Sequence, residues 1–277
     1  MNWYEAMVLG LVEGLTEYLP VSSTGHLILT QRALGIAQSE AADAYAICIQ
    51  AGAIVAVLGL YWQRVVQMAR GALRRDAEGR TLLVNIVAAF VPAAVIGLLF
   101  EERIDSLLGS LWYTVAAWLV GGVAILLVSW RRRNGAGQTP GKELHQLTWR
   151  FALIIGFAQC IAMWPGVSRS LVTIVGGVLI GLRLTAAVEF SFLLGVVTLG
   201  AASAYKGMKH FDVLMDNGGQ GPIPLLIGFF FAFISAAIAI KWMVAYLKKH
   251  NLAIFGWYRV AVAAIVAMLI VAKVLHA

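Results

Sequence analysis

Charge is what this chain has least of. Of its 277 residues only 13% are Asp, Glu, Lys or Arg, while 61% are hydrophobic and the mean hydropathy is +0.83. Those values lie outside the range of soluble domains and imply a polytopic membrane protein. Cysteine is nearly missing: Cys48 and Cys160 both lie inside apolar runs. That excludes a disulfide framework and a thiolate metal centre, and leaves both as packing residues. The opening Met-Asn-Trp-Tyr-Glu carries no basic region and no small-residue cleavage site follows it, so no removable signal peptide is expected. Acidic residues are outnumbered, 14 against 21 Lys and Arg, for a net charge of +7. In a soluble chain that excess would suggest nucleic acid. Here the basic residues sit in short loops between apolar runs, so membrane topology accounts for them and nucleic acid is not an expected partner.

What is present in abundance is apolar length. A bilayer core of about 30 Å needs about 20 apolar residues as helix, and six runs meet that need, near 44–62, 81–100, 107–130, 186–205, 222–243 and 252–272. Two more stretches, 1–35 and 149–183, are broken in the middle by Pro20 or Pro165 and neighbouring polar residues. Their arms of about a dozen residues reach only about 20 Å, so they are expected to be re-entrant hairpins lining a wet cavity. Arg64 to Arg80, Arg131 to Arg150, and Lys248 with Lys249 mark three basic loops, which belong in the cytoplasm. The 101–106 loop is acidic, and in 206–221 Lys206 and Lys209 are expected to be offset by Asp212 and Asp216; both loops go outside. Counting spans brings the first hairpin in from outside and the second from the cytoplasm.

A gapless shift of 146 residues aligns Gly10 with Gly156, Tyr18 with Trp164, Val21 with Val167, Ser22 with Ser168, Gly35 with Gly181 and Asp43 with Glu189, while Glu13 meets Gln159. The expected fold is therefore an all-α integral membrane protein of about ten helices, six transmembrane spans plus two re-entrant hairpins, as one membrane domain over 1–277. Its two inverted-topology repeats are 1–130, hairpin 1–35 plus three spans, and 149–277, hairpin 149–183 plus three spans. Folds of this kind place their site near the midplane, where half-helix N-termini converge.

The costly chemistry is concentrated at the two breaks. Glu13 and Glu17, four apart, share one helix face. After Pro20, Ser22, Ser23 and Thr24 fall at the start of a second helix running through Gly25 and His26, where free N–H groups and the dipole attract an anion. The second break reads Trp164-Pro-Gly-Val-Ser-Arg-Ser170. Arg169 inside an apolar stretch is expensive unless it meets an anion, and its planar fork suits phosphate. Together the breaks suit a phosphate ester or diphosphate, with Ser22, Thr24, Gly25, Ser168, Arg169, Ser170 and Thr173 as phosphate-binding candidates. The carboxylates Glu13 and Glu17 would repel phosphate directly, so they are expected to hold a divalent cation, Mg²⁺ or Ca²⁺. The nucleophile is Ser23 with His26 as base, or His26 itself; Glu17 or Glu13 would activate the water that completes hydrolysis.

Glu13-Gly-Leu-Thr-Glu-Tyr-Leu-Pro-Val-Ser-Ser-Thr-Gly-His26 and Pro165-Gly-Val-Ser-Arg-Ser170 resemble the two signature motifs of the undecaprenyl pyrophosphate phosphatase, or bacitracin-resistance, family. Ile49-Gln50-Ala-Gly, Glu189-Phe-Ser-Phe-Leu-Leu and Tyr258-Arg259 are also similar to family landmarks, so the likeness runs nearly end to end. The resemblance implies a metal-dependent enzyme of the bacterial inner membrane, its site facing outward, that hydrolyses the C55 polyprenyl diphosphate to its monophosphate and phosphate. That reaction recycles the lipid carrier of wall synthesis and confers bacitracin resistance. It implies Glu13 and Glu17 as metal-linked or acid/base carboxylates, Ser23 and His26 as the nucleophile pair and Arg169 as the phosphate clamp. Partners are the lipid substrate and membrane lipids, with the assembly left open between monomer and homodimer. Two departures from the family pattern touch local helix geometry: Leu171-Val172 precede Thr173 where Gly-Ala is usual, and Gly195 to Val197 lacks an expected proline. The rival reading is a transporter or flippase of the same architecture, for which a nucleophile and base are unnecessary. Outside the two breaks, Arg259 is expected to snorkel to the cytoplasmic face, and Glu189 to pair with Arg183 or Arg259.

Overall fold

The structure, a computed structural model, describes residues 1–37, 39–106, 110–134, 141–212 and 222–275. Among them, twelve α-helices and two single 3₁₀ turns account for the architecture, and the only β pairing is an isolated bridge between Lys142 and Leu182. The helices are α1 Trp3–Glu17, α2 Ser23–Ala33, α3 Glu40–Leu60, α4 Trp62–Ala72, α5 Ala77–Leu99, α6 Glu101–Ser106, α7 Leu111–Asn134, α8 Trp149–Cys160, α9 Arg169–Leu179, α10 Leu184–Lys209, α11 Pro222–Leu247 and α12 Ala253–Val271. Six of them, α3, α5, α7, α10, α11 and α12, are long and apolar enough to cross a membrane. The protein is multi-pass. With α1, α2, α8 and α9 they make up the ten helices expected. The two additions correct the sequence reading, which left 63–80 and 101–106 as loops. α4 is a short amphipathic helix whose charged positions hide it from any search for apolar runs, and α6 is a six-residue helix.

Local chemistry sets the boundaries. Asn2 and Glu5 form a reciprocal cap on α1, Glu5 N–H donating to Asn2 Oδ1 at 3.0 Å and Asn2 N–H to Glu5 Oε2 at 2.8 Å, which satisfies donors left open at a helix start. Ser39 caps α3 and Asp76 caps α5 in the same sense. Helices α1 and α2, of 15 and 11 residues, and α8 and α9, of 12 and 11, span about 22 Å or less. None can cross a bilayer.

The two hairpins are treated alike by the rest of the chain. α1 packs on α11 while α8 packs on α5; α3 meets α10, and α7 meets α12. Gly10 lies so close to the α11 backbone, and Gly156 so close to the α5 backbone, that a Cβ at either would collide. These glycines are 146 residues apart. So are Ser22 and Ser168, both at positive φ, 75° and 76°, a left-handed conformation that non-glycine residues adopt only at a cost of about 1–3 kcal/mol. The turns that stop each hairpin at mid-depth thus share one strained geometry.

Two ion-pair expectations are corrected. Glu189 pairs with Arg64 of α4 at 2.6 Å, not with Arg183 or Arg259, and Arg183 pairs with Glu143; α4, unseen in the sequence, is what brings Arg64 within reach. At the other end, Lys206 and Lys209 belong to the last turn of α10 and converge on Glu101 of α6 at 2.7 and 3.0 Å, with Tyr205 donating to the same carboxylate at 3.1 Å. Glu101, and not Asp212, is their partner; Asp216 lies outside the described residues. The hydrogen bond from Lys206, then that from Lys209, hold the Glu101 carboxyl down from its ordinary 4.5 to about 2. A depressed carboxylate stabilises the folded state above its unfolded pKa and loses that contribution as pH falls through the folded one. Acid unfolding of wild type is therefore expected to include a component between about pH 4.5 and 2 that disappears in Glu101→Gln, read by following thermal midpoint against pH.

Candidate active site

Glu17 is where the two breaks meet. It closes α1, buried to 6% exposure. Its Oε2 accepts from Ser23 Oγ at the start of α2 and from Gln50 Nε2 of α3 at 3.1 Å, while its Oε1 accepts from Arg169 Nη2 of α9 at 3.1 Å. One carboxylate on α1 thereby joins α2 of its own hairpin, the span α3 and α9 of the other hairpin. Arg169 is fixed further by Nη1 donating to the Ser191 carbonyl at 2.9 Å and by Tyr18, whose ring lies 5.2 Å from its guanidinium carbon. Its Nε is buried without a partner, as is Glu13 Oε1. A Cβ on Gly195 would collide with the Arg169 guanidinium. A small residue on unbroken α10 makes room for the cation.

These groups line a cavity of about 550 Å³ whose wall includes Glu13, Glu17, Ser23, Thr24, Gln50 and Arg169, together with Ser22 and Ser168. A second, more apolar cavity of about 490 Å³ runs between α5 and α10 and shares Ile104, Ala162, Met163, Leu199 and Arg169 with the first. Arg169 stands where polar and apolar spaces join.

Four candidates are placed differently. His26 and Gly25 are not in the cavity wall. The His26 Nδ1 lies 2.7 Å from the Ser22 carbonyl, which can only accept, so Nδ1 carries a proton; Nε2 lies 2.8 Å from the Tyr258 hydroxyl. The ring is stacked on Tyr258 and tilted against Trp118. Both nitrogens are engaged, and the hydrogen-bond acceptor for Ser23 Oγ is Glu17. Gly25 is a packing position, since a Cβ would collide with Trp118. Ser170 donates to the Leu19 carbonyl at 2.9 Å, tying one break to the other, and Ser168 Oγ lies 2.9 Å from Ser170 Oγ. Thr173 Oγ1 donates to the Arg169 carbonyl at 2.9 Å and lies 2.6 Å from Ser191 Oγ. Both residues are fully buried and brace the turn from behind.

The largest correction is Arg259. It does not snorkel: it is 0% exposed and donates to the carbonyls of Ala117 and Gly166 at 2.8 Å, Pro20 at 3.3 Å and Trp118 at 3.4 Å. Pro20 and Gly166 belong to the two breaks, so one guanidinium fastens both to α7. The argument from burial cost that singled out Arg169 applies equally to a second Arg inside an apolar run, and would have found it.

The family described as bacitracin resistance protein BacA matches residues 6–265. The chain belongs to this family. Among BacA relatives, the undecaprenyl-diphosphatase of Sorangium cellulosum is 47% identical over 270 residues, covering 97% of this chain and 87% of the relative. Undecaprenyl-diphosphatase 1 of Chromobacterium violaceum is 44% identical over 264 residues, covering 95% and 94%. Undecaprenyl-diphosphatase 2 of Rhodospirillum rubrum is 41% identical over 257 residues, covering 93% and 91%. In this BacA chain the first break carries Glu17 and Ser23, the second carries Arg169, and Arg259 of α12 is hydrogen-bonded to both breaks.

Removing the Arg259 fork strands buried carbonyls, each worth about 1–3 kcal/mol when left unsatisfied. Arg259→Met is expected to lose about 3 kcal/mol or more of stability by that reckoning and nearly all turnover. Arg259→Lys should lose less stability, because an ammonium still reaches some of the carbonyls. Thermal unfolding followed by tryptophan fluorescence checks both; equal midpoints for wild type and Arg259→Met would exclude the role.

Proposed function

We propose that this protein is an undecaprenyl-diphosphatase that acts through a phosphoserine on Ser23. The hydrolysis of undecaprenyl diphosphate to undecaprenyl phosphate and inorganic phosphate follows from BacA membership and from relatives at 41–47% identity named for that activity. The observation that carries the mechanism is the Ser23–Glu17 hydrogen bond inside a cavity that also holds Arg169. A carrier of the same architecture needs no hydroxyl poised on a carboxylate.

The diphosphate lies in the polar cavity against the N-terminal ends of α2 and α9, and the first isoprene units occupy the apolar cavity beyond Arg169, leaving the rest of the tail to the bilayer. Arg169 exchanges Glu17 for phosphate oxygens, helped by its open Nε. Ser23 Oγ then attacks the terminal phosphorus in line while Glu17 takes its proton. The P–O bond to the lipid monophosphate breaks as Arg169 and the helix N-termini stabilise the equatorial oxygens. Glu17 passes that proton to the leaving lipid phosphate and is a carboxylate again; it then deprotonates a water that attacks the phosphoserine, the Ser23 Oγ–P bond breaks to release inorganic phosphate, and Glu17 returns the proton to Ser23 Oγ. His26, packed against Trp118 and Tyr258, serves as a positioning residue that holds the Ser22 carbonyl.

Three carboxylates, Glu13, Glu17 and Asp43, against one guanidinium leave the cavity wall short of positive charge for a diphosphate, and Glu13 Oε1 is buried with no partner. Among the described residues no group of three or more His, Cys, Asp or Glu converges. An oxygen-only site of two carboxylates, completed by substrate oxygens, fits Mg²⁺ or Ca²⁺. Glu13, Glu17 and the Gln50 amide oxygen would hold the ion, which supplies charge neutralisation at the phosphates. We also read 1–130 and 149–277 as inverted repeats, on the shared strain at Ser22 and Ser168 and the exchanged packing of α1 and α8. The cavity opens outward from a bacterial inner membrane in this reading, because Ile104 of α6 lines it while the Arg-rich segments gather around separate cavities.

Phosphate release from polyprenyl diphosphate by purified protein, with and without a chelator, tests the reading. Ser23→Ala is expected to lower kcat by about a thousandfold or more, and Arg169→Ala by about a hundredfold or more, with both variants folded. Radiolabelled phosphate trapped in acid is expected on Ser23; label on His26 would refute the assignment. Glu13→Gln should shift the cation titration to higher concentration, and an unchanged titration would remove Glu13 from the ion site.

A further inference from the structure

The end of the molecule that carries the Arg-rich segments holds a cavity of about 710 Å³ between the α4–α5 turn and the residues leading into α8. It shares no lining residue with the diphosphate cavity. Its wall presents Arg74, Arg75, Arg80 and His145, and is completed by Thr148 and Trp149. Two arginines at this end have carboxylate partners, Arg64 with Glu189 and Arg183 with Glu143. Among the described residues, Arg74, Arg75 and Arg80 have none within ion-pair distance. The adjacent carboxylate, Asp76, is engaged in capping α5, accepting from Gly79 N–H at 2.7 Å.

The backbone adds to this charge. α8 begins at the cavity without a side-chain cap from Thr148 and with no acidic residue in its first turn, so the open N–H groups of a 12-residue helix face an anion-ready space. Arg74 itself stands at φ 59° just past Leu73, the C-cap of α4, a left-handed position that glycine usually takes. The rim is apolar: Trp149 is 52% exposed and Val84 47%, both on helices that continue into the bilayer region. A soluble phosphate would have no use for that ledge.

We propose that this cavity binds the phosphodiester head group of an anionic glycerophospholipid in the leaflet on that side. The arginines and the α8 N-terminus hold the phosphate while the acyl chains descend past Trp149 and Val84. The site fastens the outer end of α8, whose inner end leads to the Arg169 turn, and its floor is already fixed by Asn85 Nδ2 donating to the Leu147 carbonyl at 2.7 Å. The proposal does not depend on the chemistry at Ser23.

The test uses the full chain in phosphatidylcholine nanodiscs with and without phosphatidylglycerol, reading lipid retained by native mass spectrometry and the thermal midpoint. Wild type is expected to retain phosphatidylglycerol preferentially and to melt higher with it. Each arginine at an anionic surface is worth about a fivefold preference, so Arg80→Gln should lower retention about fivefold and the variant carrying Arg74→Gln, Arg75→Gln and Arg80→Gln on the order of a hundredfold. Arg80→Gln alone keeps the test decisive if the triple variant does not fold. Arg131, exposed at the end of α7 and outside the cavity, is the control, and Arg131→Gln should leave retention unchanged. No preference in wild type, or equal losses in Arg131→Gln and Arg80→Gln, would overturn the site. Displacement of the lipid by millimolar inorganic phosphate, with the same thermal gain, would assign the cavity to a soluble anion and overturn the lipid.

Discussion

A chain that reverses direction inside a membrane exposes carbonyl groups that lipid cannot satisfy, and this protein does so twice. Its answer is the buried Arg259, whose fork takes carbonyls from both reversals and from α7 between them. A guanidinium suits the task because it offers several donors in one plane and remains charged where an ammonium would lose its proton more readily. The burial of a cation is unfavourable taken alone. It becomes supportable because the carbonyl oxygens are themselves in need of donors, so each group relieves the other.

With the two reversals fastened from behind, what they present in front is set by short-range chemistry. Both N-caps are serines at positive φ, 75° and 76°, and the starts of α2 and α9 line one cavity. The Glu17–Arg169 pair spans that space at 3.1 Å with both side chains largely buried. A buried pair of this kind adds little net stability, but it holds a carboxylate and a guanidinium from the two hairpins in register. Ser170, reaching back to the Leu19 carbonyl, couples the second reversal to the first directly, so neither half of the site is complete on its own.

How far each residue could be understood beforehand follows from the range of its interactions. Helix type, number and limits depend on hydrophobic length and on local breakers, and they were legible: the ten main helices fall where apolar runs, Pro20 and Pro165 place them. α4 was not, since amphipathic helices lying along a surface carry no long apolar run. Glu13, Glu17, Ser23 and Arg169 were legible as a set because polar groups at membrane depth are costly and so stand out. Their division of labour was not. His26 looked like the base for Ser23 at a spacing of three along α2, yet Tyr258 and the Ser22 carbonyl occupy its nitrogens, and Tyr258 lies 232 residues away.

The same distinction separates what composition decides from what the fold decides. The sequence alone determined that this is a membrane protein with two interrupted hairpins where its polar residues concentrate, because hydrophobicity, chain breaking and the cost of buried charge act within a few turns of helix. Only the tertiary structure decided that Glu17 is the acceptor for Ser23, that Gly195 makes room for Arg169, that Arg64 answers Glu189 and that Arg259 is the internal fastening. Each of these is a contact between helices far apart in the chain, and no local rule specifies which of several buried polar groups will find which partner until packing has brought them within about 3 Å, the reach of a hydrogen bond.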